Sequence, residues 1–179
     1  MILVFDTETT GLTLHPNAET RKQPRMIEFG AALLHPHNGK VEDTWNVLIN
    51  PGEPLPPVIT KITGITDDDL RDASPFAAAL PAMRMMFQQA TCVVAHNLPF
   101  DRAILRGELA RLDVFDFPWP RHEICTVGLY KDAWGRNPKL TELYADVMGK
   151  PLAQTHRALD DVMALVEIFQ KELLWQLTA

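Results

Sequence analysis

The chain has 179 residues, 46% of them hydrophobic and 22% charged, with a formal net charge of −6. This composition fits one globular domain able to bury a substantial core, while the negative balance weighs against strong non-specific nucleic-acid binding, which relies on lysine and arginine at phosphates. No apolar run approaches the ~20 residues of a bilayer span, and Met1 to Phe5 leads straight into Asp6 without a basic leader; a cytoplasmic protein away from membranes is the expectation.

In chain order, Ile2-Leu3-Val4-Phe5 reads as a buried strand ending in Asp6 and Glu8. Alternate residues of a strand lie on one face about 6.6 Å apart, so the two carboxylates project together. Their mutual repulsion is relieved if a divalent cation sits between them. Met26 to Leu34 suits a second strand, His37-Asn38-Gly39-Lys40 a turn, and Val41 to Ile49 an antiparallel return strand. Pro51, Pro54, Pro56 and Pro57 then break regularity. Ser74-Pro75 predicts a cap for a helix over 75–90, which Pro81 should kink or divide.

Cys92 to Ala95 predicts a buried strand. Asn97 and Pro99 open a helix with Phe100, Ile104 and Gly107 on one face and Asp101 in its first turn. Phe117 to Pro120 reads as a loop, Glu123 to Thr126 as a fifth strand, and 126–134 and 139–148 as helices. The last helix, Ala158 to Leu177, carries Val162, Leu165, Val166, Phe169 and Leu173 at helical spacing. A strand meander followed by strands interleaved with helices predicts an α/β fold with a mixed sheet covered by helices. Cys92 and Cys125 lack the spacing of a metal or disulfide framework and should be reduced core residues. His15, His35, His37 and His122 read as surface residues in loops or turns, and Trp45, Trp119, Trp134 and Trp175 as partly buried packing.

Candidate chemistry concentrates in three clusters, Asp6-Thr7-Glu8, His96-Asn97-Leu98-Pro99-Phe100-Asp101 and His156-Arg157-Ala158-Leu159-Asp160-Asp161, each at the edge of an apolar element. Five residues of helix turn by about 140°, so His156 and Asp161 cannot share a face if both are helical. His156 is therefore expected ahead of the helix, where an imidazole, with an ordinary pKa of ~6.5, suits general-base chemistry.

These motifs, in this order, resemble the DEDDh family of 3′–5′ exonucleases, the DnaQ-like group, from residue 2 to about 172. The related branch with tyrosine as base would carry it where this chain has Arg157. The resemblance implies an RNase H-like fold with a five-stranded mixed sheet, residues 1–179 forming one domain. It implies two Mg²⁺ or Mn²⁺ ions held by Asp6, Glu8, Asp101 and Asp161, which would offset four of the chain's negative charges, and His156 activating the attacking water. The expected reaction releases nucleoside 5′-monophosphates from the 3′ end of single-stranded or frayed DNA, in proofreading or repair.

The same resemblance places Thr9, Thr10, Gly11, Leu12, Ile62, Thr63, His96, Asn97 and Phe100 on the substrate side. Leu12 and Ile62 would pack on the last base, or else simply fill core, and Phe100 would lie beneath the site. Residues 13–25 form a longer, more polar loop beside the cleft. Arg21, Lys22, Arg25, Lys131, Arg136 and Lys139 offer backbone contacts or a solvated surface. An RNA-trimming or short-oligonucleotide nuclease, and a non-catalytic polymerase accessory domain, are the alternative functions. A DNA polymerase partner fits either enzyme or accessory reading, and the sequence carries no sign of oligomeric state.

Overall fold

Five strands form one mixed sheet in the order β3-β2-β1-β4-β5: β1 (Ile2–Thr9), β2 (Met26–Leu34), β3 (Val41–Leu48), β4 (Cys92–Ala95) and β5 (His122–Cys125). The computed structural model describes residues 1–15 and 18–178; Pro16 and Asn17, within the 13–25 loop, lie outside them. β1 to β3 are an antiparallel meander, whereas β4 runs parallel to β1 and β5 parallel to β4. The helices are α1 (Pro57–Thr63), α2 (Asp67–Arg71), α3 (Phe76–Gln89), α4 (Leu98–Arg111), α5 (Thr126–Trp134), α6 (Leu140–Met148) and α7 (Ala158–Lys171). The expected RNase H-like architecture is the one observed.

Both faces of the sheet are covered at β1 and β2, which is why these strands read as nearly continuous apolar runs. Parity along β1 assigns the faces. Leu3 and Phe5 pack with Phe29, Met83, Phe87, Ile104 and Leu105, on the side of α3 and α4. Ile2 and Val4 pack with Leu143, Val162, Leu165 and Phe169, on the side of α6 and α7. Asp6 and Glu8 continue the even parity toward α7, and Thr7 continues the odd parity toward α4. In β2, the even positions Glu28 and Gly30 likewise turn toward α7 and stand opposite Glu8 and Asp6 in the register.

Gly30 controls how close α7 comes. A Cβ there would lie 2.4 Å from the Leu159 backbone nitrogen and 2.5 Å from the Ala158 carbonyl carbon. The first turn of α7 thus rests directly on the β2 backbone, beside Asp6.

Several expectations change in detail. α3 is one continuous helix with Pro81 inside it. The bond that Pro81 cannot donate leaves the Ala77 carbonyl on an exposed face, where water can satisfy it. Its N-cap is Pro75 and Ser74 makes no capping bond. The buried face of α4 runs through Asp101, Ile104, Leu105, Glu108 and Leu109, not Phe100 and Gly107. His122 lies in β5 rather than in a loop, although it is exposed as expected.

α1 and α2 were not foreseen. Their signals are local: Pro57 opens α1 and Gly64, at φ 73°, closes it, while Thr66 and Asp69 form a capping box for α2. α7 ends at Lys171 rather than Leu177, because the chain turns at Leu173 and folds back. Trp175 then packs on the second core and against Gly39, whose missing Cβ would meet the indole at 2.6 Å.

Gly30→Ala is expected to destabilise the protein by about 1–3 kcal/mol through overpacking, read from urea denaturation. An unchanged midpoint would refute the close approach of α7.

Candidate active site

A cleft of about 280 Å³ opens where β1 outruns β4, lined by Asp6, Glu8, His96, Phe100, Asp101, His156 and Asp161 among others. β1 pairs with β4 only from Ile2 to Val4. Beyond that point its edge is open, and the Thr7 N–H and Oγ1–H both donate to Asp101 Oδ1, at 3.1 and 2.8 Å. Asp101, projecting from α4 on one side of the sheet, is thereby pinned beside Asp6 and Glu8, which face the other.

Asp161 arrives from α7 and accepts from Gln154 Nε2 at 2.7 Å. Asp101 and Asp161 each occupy the fourth position of a helix, where the helix dipole favours an anion. His156 stands ahead of α7, exposed, at φ 52°, as the rotation argument required. Glu8, His156 and Asp161 each offer a donor atom, and these atoms all lie within 4.8 Å of one another.

The electrostatics are those of uncompensated anions. Among the described residues none of Asp6, Glu8, Asp101 and Asp161 forms an ion pair. Burial, followed by the charges of Asp101, Glu8, Asp161 and Glu28, holds the Asp6 carboxyl well above the ordinary range. Burial, then Asp161 and Glu28, pushes Glu8 up to about 8. Burial pushes Asp101 up to about 7 against the opposing hydrogen bonds from Thr7, and raises Asp161 against those of Gln154 and the pull of His156. A hard-oxygen donor set with no ion pair among the described residues fits a divalent cation such as magnesium or manganese.

Two residues that sequence reasoning passed over shape this cleft. Glu28 is fully buried. It accepts from Arg157 Nη2 at 2.6 Å, from the Ala158 N–H at 3.0 Å and from Asn46 Nδ2 at 2.9 Å. It therefore anchors the chain on either side of the step from His156 into α7. Gln154 is the second. A charged residue inside the apolar run of β2 was the signal for Glu28; nothing in the sequence marks Gln154.

The remaining expected substrate residues divide. Leu12 and Ile62 are 81% and 47% exposed, so they do not fill core and are free to meet a base. Asn97 is exposed at the N-cap of α4 without a capping bond. Gly11 has open space around it. Thr9 Oγ1 donates to the Gly11 carbonyl at 2.7 Å, and Thr10 Oγ1 accepts from the Arg25 N–H at 2.9 Å.

Thr63 is buried, and its hydroxyl donates to the Ile59 carbonyl at 3.0 Å. His96 is similarly committed: Nε2 must carry the proton to donate to the Pro138 carbonyl at 3.0 Å, leaving Nδ1 to accept from Thr126 Oγ1 at 2.9 Å. Burial lowers its pKa, which suits a neutral strut between β4, α5 and the approach to α6.

The family model described as Exonuclease matches residues 3–169. A DNA polymerase III of the PolC type from Caldanaerobacter subterraneus subsp. tengcongensis is 35% identical over 178 residues, covering 96% of this chain and 11% of its own length. A Mycobacterium tuberculosis protein, provisionally named a bifunctional exonuclease/endonuclease, is 34% identical over 174 residues, covering 93% of this chain and 25% of its own length. The chain thus spans a quarter or less of these relatives. The nuclease domain of 3′hExo, described as a DEDDh family member bound to rAMP, superposes with a TM-score of 0.76 at 21% identity, over 97% of this chain and 91% of that one. That last likeness is one of fold.

The raised carboxyls give stability a sign. A carboxyl with a raised folded pKa keeps its proton after the unfolded chain has lost it, so stability falls as pH climbs from about 4 to about 8. In EDTA the protein is expected to melt at a lower temperature at about pH 8 than at about pH 5.5, and Glu8→Gln should narrow the gap. Calorimetry showing the opposite order would contradict the crowding.

Proposed function

The chain belongs to the exonuclease family, and we propose that it is a metal-dependent member of the DEDDh branch in which residues 1–179 act as a single 3′–5′ exonuclease domain on single-stranded or frayed DNA ends. The observation that carries the reading is the convergence of Glu8, His156 and Asp161 donor atoms within 4.8 Å, in a cleft that Asp6 and Asp101 also line.

Asp6, Glu8, Asp101 and Asp161 hold two Mg²⁺ or Mn²⁺ ions in this scheme. Such ions, when bound, stabilise the entering and leaving oxygens of a phosphoryl displacement. His156 removes a proton from the attacking water at a ring nitrogen, from an exposed position that admits solvent. The water oxygen bonds to phosphorus as the bond to the 3′ oxygen breaks, and the departing oxygen takes a proton from solvent, which also receives the proton held by His156. The products are a nucleoside 5′-monophosphate and a strand with a new 3′ hydroxyl. Glu28 orients the base through Arg157 and Ala158 without touching substrate. Leu12 and Ile62 provide apolar surfaces for the terminal base, tolerant of sequence because every base has a flat face. The resemblance to PolC-type polymerases supports a DNA substrate, a role in replication or repair, and a polymerase partner or fused polymerase. Cytoplasmic residence accords with this role; no helix among the described residues is long and apolar enough to cross a membrane.

Purified protein should shorten a 5′-labelled DNA oligonucleotide from its 3′ end with Mg²⁺ or Mn²⁺ and stop in EDTA. His156→Ala should slow this by roughly 10²–10⁴-fold, and Asp6→Ala should nearly abolish it. Full activity in both variants would refute the assigned roles, and preferential cleavage of matched RNA in competition would reassign the substrate.

A further inference from the structure

Beside the acid cleft lies a second, larger hollow of about 760 Å³. The two meet at the first turn of α4, where Asn97, Phe100 and Asp101 line the cleft and Leu98 and Pro99 line the hollow. One side of the hollow is the surface of α4, left low by the small residues Ala103, Gly107 and Ala110. The facing wall is the segment after β1, through Thr13, Leu14, Thr20 and Gln23.

That wall is built rather than draped. Arg111 Nη2 donates to the Thr20 and Gln23 carbonyls at 2.8 and 2.6 Å. The Gln23 amide ties Leu14 N–H and the His15 carbonyl together. At the loop's base Arg25 forks onto the buried Glu108, at 2.8 and 3.2 Å, so α4 holds the returning half of the segment, and Gln23 ties the outgoing half to it.

The charge of the hollow differs from that of the chain. Its charged lining residues are Arg102, Arg106 and Glu123. Arg102 neutralises Glu123 at 2.8 Å. Arg106 is exposed and has no ion pair among the described residues. One uncommitted cation thus faces the hollow of a protein whose net charge is −6.

We propose that this hollow holds the single-stranded stretch immediately 5′ of the terminal nucleotide, with Arg106 contacting a backbone phosphate. The proposal rests on the nuclease reading and adds the path of the strand. A strand whose last phosphodiester sits among four carboxylates must leave through an open side, and at the first turn of α4 the cleft adjoins the hollow. The next phosphates need a positive partner, which Arg106 supplies, and the Thr13 and Thr20 hydroxyls of the wall offer neutral donors. The volume falls in the range that accommodates a small ligand, hence a short single-stranded segment rather than a turn of duplex.

The test compares an unlabelled thymidine dinucleotide, whose only phosphate is the scissile one and whose turnover is read by chromatography, with a 5′-fluorescein thymidylate octanucleotide, using wild-type protein, Arg106→Glu and Arg106→Lys. Turnover is followed with Mn²⁺ and binding by fluorescence anisotropy with Ca²⁺. Arg106→Glu should lower kcat/KM and affinity for the octanucleotide by roughly three- to tenfold and reduce the salt slope of binding by about one. It should leave dinucleotide turnover unchanged, and Arg106→Lys should retain most of the wild-type behaviour. Equal losses at both lengths, or none at either, would overturn the path; the latter is also the result if the hollow receives a peptide. Should wild-type protein cleave neither oligonucleotide, the nuclease reading fails, and undiminished octanucleotide binding by Arg106→Glu would then overturn the hollow on its own.

Discussion

Four carboxylates brought into one cleft without a paired cation repel one another, and the rest of the molecule is organised to hold them there. The forces that do so act away from the cleft. Ile2 to Phe5 are fully buried between two helical layers, and each such side chain contributes on the order of 1.5–3 kcal/mol, so β1 has no freedom to withdraw Asp6 or Glu8. Asp101 is gripped by Thr7 through two donors. Asp161 is delivered by a helix that Gly30 allows to rest on the sheet backbone. Repulsion at the site is thus stored in a frame made rigid by packing elsewhere.

Two further buried acids follow the opposite rule. Glu28 is satisfied by Arg157, Asn46 and a backbone N–H. Glu108, almost as deeply buried, accepts from Arg25 and from the Met26 N–H at 3.0 Å. Each compensated glutamate secures a segment flanking the cleft, Glu28 the approach to α7 and Glu108 the loop after β1. Compensated acids hold segments in place; the uncompensated acids line the cleft.

Legibility in the sequence followed the range of the interactions. β2, β4 and α5 were readable to the residue because burial on both faces, or one clear turn of periodicity, is a local pattern. The acid set was readable because residue type and order survive without coordinates. What escaped depended on distant partners. Glu28 stands out within β2, but its role needs Arg157, which lies far along the chain. His96 and Thr63 looked available until their hydrogen bonds were seen to be spent on Pro138, Thr126 and Ile59. The early end of α7 turns on Trp175 meeting Gly39, a contact between segments no window joins.

The Glu28–Arg157 pair also bears on how this scaffold can diverge. Position 157 is where the related branch keeps a tyrosine as its base, yet here the guanidinium at that position neutralises an anion with no access to water. Exchanging Arg157 for tyrosine alone would strand that buried charge, a costly condition. In this chain positions 28 and 157 are therefore bound together: the guanidinium can be given up only if the carboxylate it covers changes with it.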